Sequence, residues 1–215
     1  MRPAISGCDV SKKRVAILIS GRGSNMAALL AAAHTPEFPA EIVLVLSNRA
    51  DAGGLAIAQG AGVSTVVVPS RAFGKDRAAF DLAMQGELEK SGAEIVCLAG
   101  FMRLLTSEFC EAWSGRLINI HPALLPSFKG LDTHARALAE GVKLHGCTTH
   151  FVTPGMDEGP IILQAAVPVL DTDTAESLGA RVLAEEHRLY PETLRLLAAG
   201  KLRVQGRRVM QLSGT

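Results

Sequence analysis

Asn119 and His121 stand two residues apart in "GRLINIHPALLPSFKG", at the end of an apolar stretch, Leu117-Ile118-Asn119-Ile120, that reads as a β-strand. In an extended chain that spacing sends both side chains to the same side. Pro122 then ends the strand, and Leu124, Leu125 and Pro126 stiffen the loop that follows. A neutral amide beside an imidazole can donate to a developing oxyanion while the ring holds or relays a proton. A third polar point, Asp157, sits in the glycine-bearing "HFVTPGMDEGPII". A carboxylate there raises the basicity of the imidazole and accepts a proton through water, provided that the two strand ends are neighbours. "ALLPSFKG" reads as a loop leading away from this centre, with no catalytic role.

The sequence offers no nucleophile for covalent catalysis: no GxSxG elbow occurs, and no Cys stands beside a His in a recognised pattern. The chemistry that fits is direct attack by a substrate amine on an activated carbonyl. A lone His is more often structural than catalytic, so the three residues carry weight only as a set. A metal centre drawn from His121, His134, His145 and His150 is a rival, but their spacings match no zinc motif and there is no HExxH. No metal is expected.

A second candidate site is "ISGRGSNMAAL", which places Gly21 and Gly23 between a strand and a helix. Glycines there let backbone approach a ligand, Ser24 and Asn25 can cap the helix, and its N-terminal amides suit an anion. It is not a Walker loop, since no GK[S/T] follows, nor a full dinucleotide fingerprint, since Met26 stands where the third glycine belongs. Ser47-Asn48-Arg49 replaces the acid expected after the second strand; Arg49 facing a 2′-phosphate keeps an NADP-dependent reductase, or a plain nucleotide-binding module, as alternatives. A monophosphate is the best functional fit, against a tight turn with no ligand.

The elements that must position these groups are legible as patterns. Continuous apolar strands at 14–20, 41–48, 64–70, 93–100 and "RLINI" alternate with helices at 24–34, 52–62 and 75–92. Strands apolar on both faces, separated by helices, predict a Rossmann-like α/β fold: a mostly parallel sheet with helices on both faces. After the 133–141 helix, the runs 143–153 and 159–170 lie too close for a crossover and predict antiparallel strands added in the C-terminal half. A long helix at 174–200 and a small terminal hairpin follow. The expectation is a single domain over 13–215, preceded by a flexible leader over 1–12.

Composition narrows the function classes. Of 215 residues, 48% are hydrophobic and 20% charged, with a net charge of +1, so no strong field calls for nucleic acid. One Trp and one Tyr make a base-stacking surface a poor prospect. No apolar run reaches the ~18–20 residues of a spanning helix. Four cysteines without paired spacing suit free thiols and a cytoplasmic setting. Neither nucleic acid nor membrane is expected as a partner.

The blocks "VAILISGRGSN", "VLSNRADAGGL", "VCLAGFMRLL", "GRLINIHPALLPSFKGLDTHARAL", "HGCTTHFVTPGMDEGPIILQ" and "RVLAEEHRLYP" run in order along nearly all the chain. Together they resemble the folate-dependent phosphoribosylglycinamide formyltransferases of de novo purine (IMP) biosynthesis. The resemblance implies formyl transfer from 10-formyltetrahydrofolate, a co-substrate of one-carbon metabolism, to the amine of phosphoribosylglycinamide. It implies that Asn119, His121 and Asp157 are catalytic, that Gly23, Ser24 and Asn25 hold the phosphate, and that Glu186 holds the ribose. Folate binding falls to Arg77, to Met102, Arg103, Leu104 and Leu105, to Asn119, and to the loop from Thr153 to Asp157. A monomer or homodimer is expected. Residue types alone leave Leu104 and Leu105 as core, Arg77 as a solvated charge, and Glu185 and Glu186 interchangeable. Formyltetrahydrofolate deformylase and methionyl-tRNA formyltransferase share the triad. The first would carry an N-terminal regulatory domain and the second a basic C-terminal one, and a chain running from a short leader to Thr215 matches neither.

Overall fold

The computed structural model describes residues 11–212. The leader expected over 1–12 falls outside them except for its last two residues. Strand β1 (Lys13–Ile19) is followed by helix α1 (Ser24–Ala33), β2 (Ala40–Ser47), α2 (Gly54–Gly60) and β3 (Thr65–Val67). A short 3-10 turn (Ser70–Phe73), α3 (Arg77–Ser91), β4 (Ile95–Leu98), α4 (Ser107–Ala112) and β5 (Leu117–His121) come next. The chain continues through α5 (Thr133–Ala139), β6 (Leu144–Phe151), β7 (Ile161–Pro168), α6 (Ala175–Ala198) and the hairpin β8 (Leu202–Gln205) and β9 (Arg208–Gln211).

One nine-stranded sheet runs β3-β2-β1-β4-β5-β6-β7-β9-β8. It is parallel from β3 through β5, and β6 and β7 are antiparallel additions, as the short connection between them requires. Alternation along β1 shows why both faces are covered. Val15, Ile17 and Ile19 join one core with Met26 and Leu29 of α1 and Tyr190 and Leu194 of α6. Ala16 and Leu18 join another with Phe80, Met84 and Leu88 of α3 and Phe109 of α4.

Helix ends follow local chemistry. Asp76 caps α3 by accepting from the Ala79 amide at 2.9 Å, and Gly92 in the left-handed region ends it. Thr174 and Ser177 form a reciprocal capping box at the start of α6. Helix α4 has no counterpart among the expected elements. It spans only six residues and is set by the Thr106 cap and by Phe109 and Cys110 packing into the core. The buried Tyr190 hydroxyl lies 2.9 Å from the Leu98 carbonyl and 3.1 Å from that of Ile118. It donates to one at a time and pins α6 beneath the ends of β4 and β5.

Candidate active site

Strand order reverses between β1 and β4, so connections leave in opposite directions and open a crevice at the strands' C-terminal ends. Asn119 and His121 lie one strand farther on, at the end of β5. Antiparallel pairing with β6 sets Asn119 opposite His150 and His121 opposite Thr148.

The amide of Asn119 is oriented by His150, a residue that sequence patterning offered only as a possible metal ligand. His150 is buried, and its Nδ1 lies 2.9 Å from the Phe151 carbonyl, which can only accept. Nδ1 therefore carries the proton and Nε2 presents a lone pair to Asn119 Nδ2 at 3.3 Å. Burial lowers the His150 pKa, which keeps this tautomer neutral. One N–H of the Asn119 amide is thus tied down, leaving the other to donate elsewhere.

His121 is held the same way with its nitrogens reversed. Its Nε2 donates to the Phe128 carbonyl at 2.9 Å, so Nδ1, 3.4 Å from Asp157 Oδ2, is the nitrogen turned to the carboxylate. Asp157 Oδ2 also accepts from the Gly130 amide at 2.9 Å, and Oδ1 lies 3.7 Å from His150 Nε2. Asp157 sits at φ 52, a left-handed conformation that costs a non-glycine residue of order 1–3 kcal/mol. The Gly130 amide holds this conformation and aims the carboxylate at the His121 ring. Amide, imidazole and carboxylate do converge.

The loop after Pro122 does not lead away from this centre. Left-handed Phe128 (φ 54) and Asp132 (φ 54) fold it back, so that Phe128 and Gly130 supply the backbone groups just described. Thr148 Oγ1 accepts from the Leu125 amide at 3.0 Å, and Gln164 Nε2 donates to the Leu125 carbonyl at 2.9 Å, tying the loop to β6 and β7. Main-chain donors and acceptors leave no residue-type signature, which is why the sequence did not announce this role.

At the other end of the crevice, Gly23 occupies φ 77, where a Cβ would meet the Gly54 Cα at 2.9 Å. The Gly54 amide donates to the Gly21 carbonyl at 3.0 Å, locking the loop against α2. No side chain caps α1, contrary to the capping expected of Ser24 and Asn25. Instead Asn25 Nδ2 donates to Glu186 Oε2 at 2.7 Å, and its buried Oδ1 has no partner. The first amides of α1 are therefore without a side-chain partner. Glu186 is buried, which raises its carboxyl pKa against the lowering by Asn25, whereas Glu185 pairs with Arg188 on the surface. The two glutamates are not interchangeable.

Met102 and Arg103 are exposed and share a cleft of about 870 Å³ with the Gly21–Asn25 loop. Leu104 is 55% exposed, whereas Leu105 packs in the core with Phe109 and Trp113; both precede α4 in a loop. Thr153 is half-buried just beyond β6, and Arg77 is exposed on the first turn of α3. Among the described residues no cluster of three or more His, Cys, Asp or Glu is arranged to hold a metal. His134 and His145 form a separate pair, Nδ1 to Nε2 3.2 Å.

A family model described as formyl transferase matches residues 13–194. The chain is 49% identical over 193 residues to the trifunctional purine biosynthetic protein adenosine-3 of Bos taurus, covering 90% of this chain and 19% of that protein. It thus spans about a fifth of the length of such trifunctional relatives. It is 43% identical to the phosphoribosylglycinamide formyltransferase of Escherichia coli (strain K12), covering 88% of this chain and 89% of the relative. The crystal structure of glycinamide ribonucleotide transformylase 1 from Symbiobacterium toebii superposes with a TM-score of 0.91 at 50% identity, covering 94% and 95% of the two chains.

Proposed function

The chain belongs to the formyl transferase family, and within it to the phosphoribosylglycinamide formyltransferases; from that premise we propose that it transfers a formyl group from 10-formyltetrahydrofolate to the amine of phosphoribosylglycinamide. The amine nitrogen bonds to the formyl carbon, the bond from that carbon to the folate nitrogen breaks, and the amine proton ends on the departing nitrogen. The free N–H of Asn119 donates to the oxyanion formed between these events, and the positive charge of a protonated His121 beside it stabilises that oxyanion. Asp157 holds the charge at His121 Nδ1 and helps move the proton, directly or through water.

The observation that carries this reading is the coupled geometry of Asn119, His121 and Asp157, with His150 and the Phe128 carbonyl fixing which nitrogen does what. An oxyanion donor is typically worth roughly 100–1,000-fold in rate. Gly23, Ser24 and Asn25 take the phosphate, on the free amides of α1, and the buried Glu186 takes the ribose hydroxyls. Folate lies along Met102–Leu105 and the Thr153–Asp157 loop, with Arg77 toward its carboxylates. The activity belongs to one formyltransferase domain over 13–215 in the cytoplasm, as a monomer or homodimer.

The test is a formyl-transfer assay with both substrates beside a folate-plus-water control. Formylated ribonucleotide should appear at a rate far above formate release. Formate release independent of the ribonucleotide would make the chain a deformylase instead.

A further inference from the structure

The Met102–Leu105 span, on the proposed folate path, has little of its own to hold it in shape. Among the described residues, 101–105 make no backbone–backbone hydrogen bond, and Met102, Arg103 and Leu104 are exposed. The span is fixed at its ends instead. At the near end the Met102 amide donates to Ser20 Oγ at 2.8 Å, and the Ser20 amide donates to the Gly100 carbonyl at 3.2 Å. At the far end the Thr106 amide donates to Asp81 Oδ2 at 2.7 Å.

Asp81 is an unusual residue for its place on α3. It is 3% exposed, one turn before Met84 and two before Leu88, which pack in the core. Its Oδ1 is buried without a partner, so the bond from Thr106 is the one it receives among the described residues. Burial raises its carboxyl pKa. A buried carboxylate with a single bond loses more hydration than that bond returns, so an apolar side chain would suit the packing of α3 better. What the carboxylate does, and an apolar side chain cannot, is hold a main-chain amide at a fixed point. Gln85, one turn on, gives the contrast. Its Oε1 accepts from Trp113 Nε1 at 2.7 Å, which fastens α4 to α3 at a distance from the span. Thr106 also starts α4, its Oγ1 accepting from the Phe109 amide at 3.3 Å, so Asp81 grips the chain where the span becomes helix.

We propose that Asp81 is a positioning residue for the folate co-substrate, setting the shape of the Met102–Leu105 span through the Thr106 amide without touching the ligand. The inference rests on the formyltransferase reading and adds a residue to its folate site. A ligand lying along the span's unbonded main-chain groups binds best when the span is already held in one shape, and freeing one end forfeits that preorganisation. The ribonucleotide belongs to the β1 loop, which makes no hydrogen bond with Asp81.

The experiment measures dissociation constants for tetrahydrofolate and for phosphoribosylglycinamide by calorimetry, together with melting temperatures. Asp81→Ala should weaken folate binding roughly tenfold, the low end of the worth of a charge-assisted hydrogen bond, and leave the ribonucleotide's constant unchanged. Asp81→Asn keeps an acceptor oxygen in the same shape and should recover most of the folate affinity. Gln85→Ala should lower the melting temperature with both constants unchanged. Thr106→Pro attacks the bond from the other partner, because φ −75 suits proline and the amide is lost; it should reproduce the folate defect and decides the matter if Asp81→Ala does not fold. A variant of either partner that melts lower yet binds folate as wild type does overturns the proposal, and so does equal loss of both ligands. Failure of wild type to bind tetrahydrofolate sinks the formyltransferase reading and this proposal with it. The same split in binding without formyl transfer upholds the role of Asp81 and sinks only the activity.

Discussion

The two ends of the crevice solve different problems with different materials. At the β1 end the groups proposed to face a ligand are backbone amides, beside a left-handed glycine packed against a second glycine and at the start of a helix that no side chain caps. At the β5 end they are side chains from β5 and the loop after β6, each already held by one neighbour: Asn119 by the His150 imidazole, His121 by the Phe128 carbonyl and Asp157 by the Gly130 amide. A fixed charge needs many weak donors in a shape that never changes, whereas a moving proton needs individual groups whose ionisation can change. Binding and chemistry should therefore fail separately when each end is damaged.

The largest separation should come from Asp157→Asn, which keeps the shape and removes the charge at His121 Nδ1. Turnover should fall roughly 100- to 10,000-fold while the ribonucleotide's Michaelis constant moves only a few-fold; near-normal turnover would erase the contrast. Asn25→Ala strikes the other end, removing the donor that holds Glu186. The ribonucleotide's Michaelis constant should rise by about 10- to 100-fold, as for loss of a charge-assisted hydrogen bond, with saturated turnover kept. Equal effects on both substrates would deny the β1 end its separate role.

Gly23→Ala probes the backbone itself. The left-handed φ and the approach to Gly54 should cost about 1–3 kcal/mol, lowering the melting temperature by roughly 2–12 °C in a chain of this size. An unchanged melting curve would mean that the loop adapts freely. The smallest effect has the opposite sign. Burial raises the Glu186 carboxyl, so just above the ordinary carboxylate range the folded chain holds a proton that the unfolded chain has released. This group's contribution to stability is complete at low pH and drains as pH rises through that window. Glu186→Gln should therefore melt at a higher temperature than wild type at neutral pH, with the gap closing as pH falls, while binding the ribonucleotide less well. A variant that melts no higher at neutral pH would show that the buried carboxylate is stabilised in place.

What could be read in advance follows the same divide. Strand alternation, the glycine loop and the Asn119/His121 spacing are local patterns, and the parallel sheet, its antiparallel additions and the terminal hairpin appear as those patterns predicted. His150 was not legible as a site residue, because its place opposite Asn119 is a matter of strand register. Nor were Phe128 and Gly130, which act through groups that every residue possesses. Asn25 was expected to cap its own helix. It turns instead to a glutamate 161 residues away, a choice that only the packing of α6 against α1 could make.

That last distance has a consequence in time. The Gly21–Asn25 loop is made well before α6, which carries both the carboxylate that anchors Asn25 and the tyrosine that pins the ends of β4 and β5. At a typical elongation rate the ribosome needs roughly ten to thirty seconds to travel from one to the other. Until α6 follows, the parallel half-sheet lacks Tyr190 and Leu194 on the core face it shares with α1. Arrival of that helix covers the face and shortens the exposure of an unfinished crevice to chaperones and to aggregation.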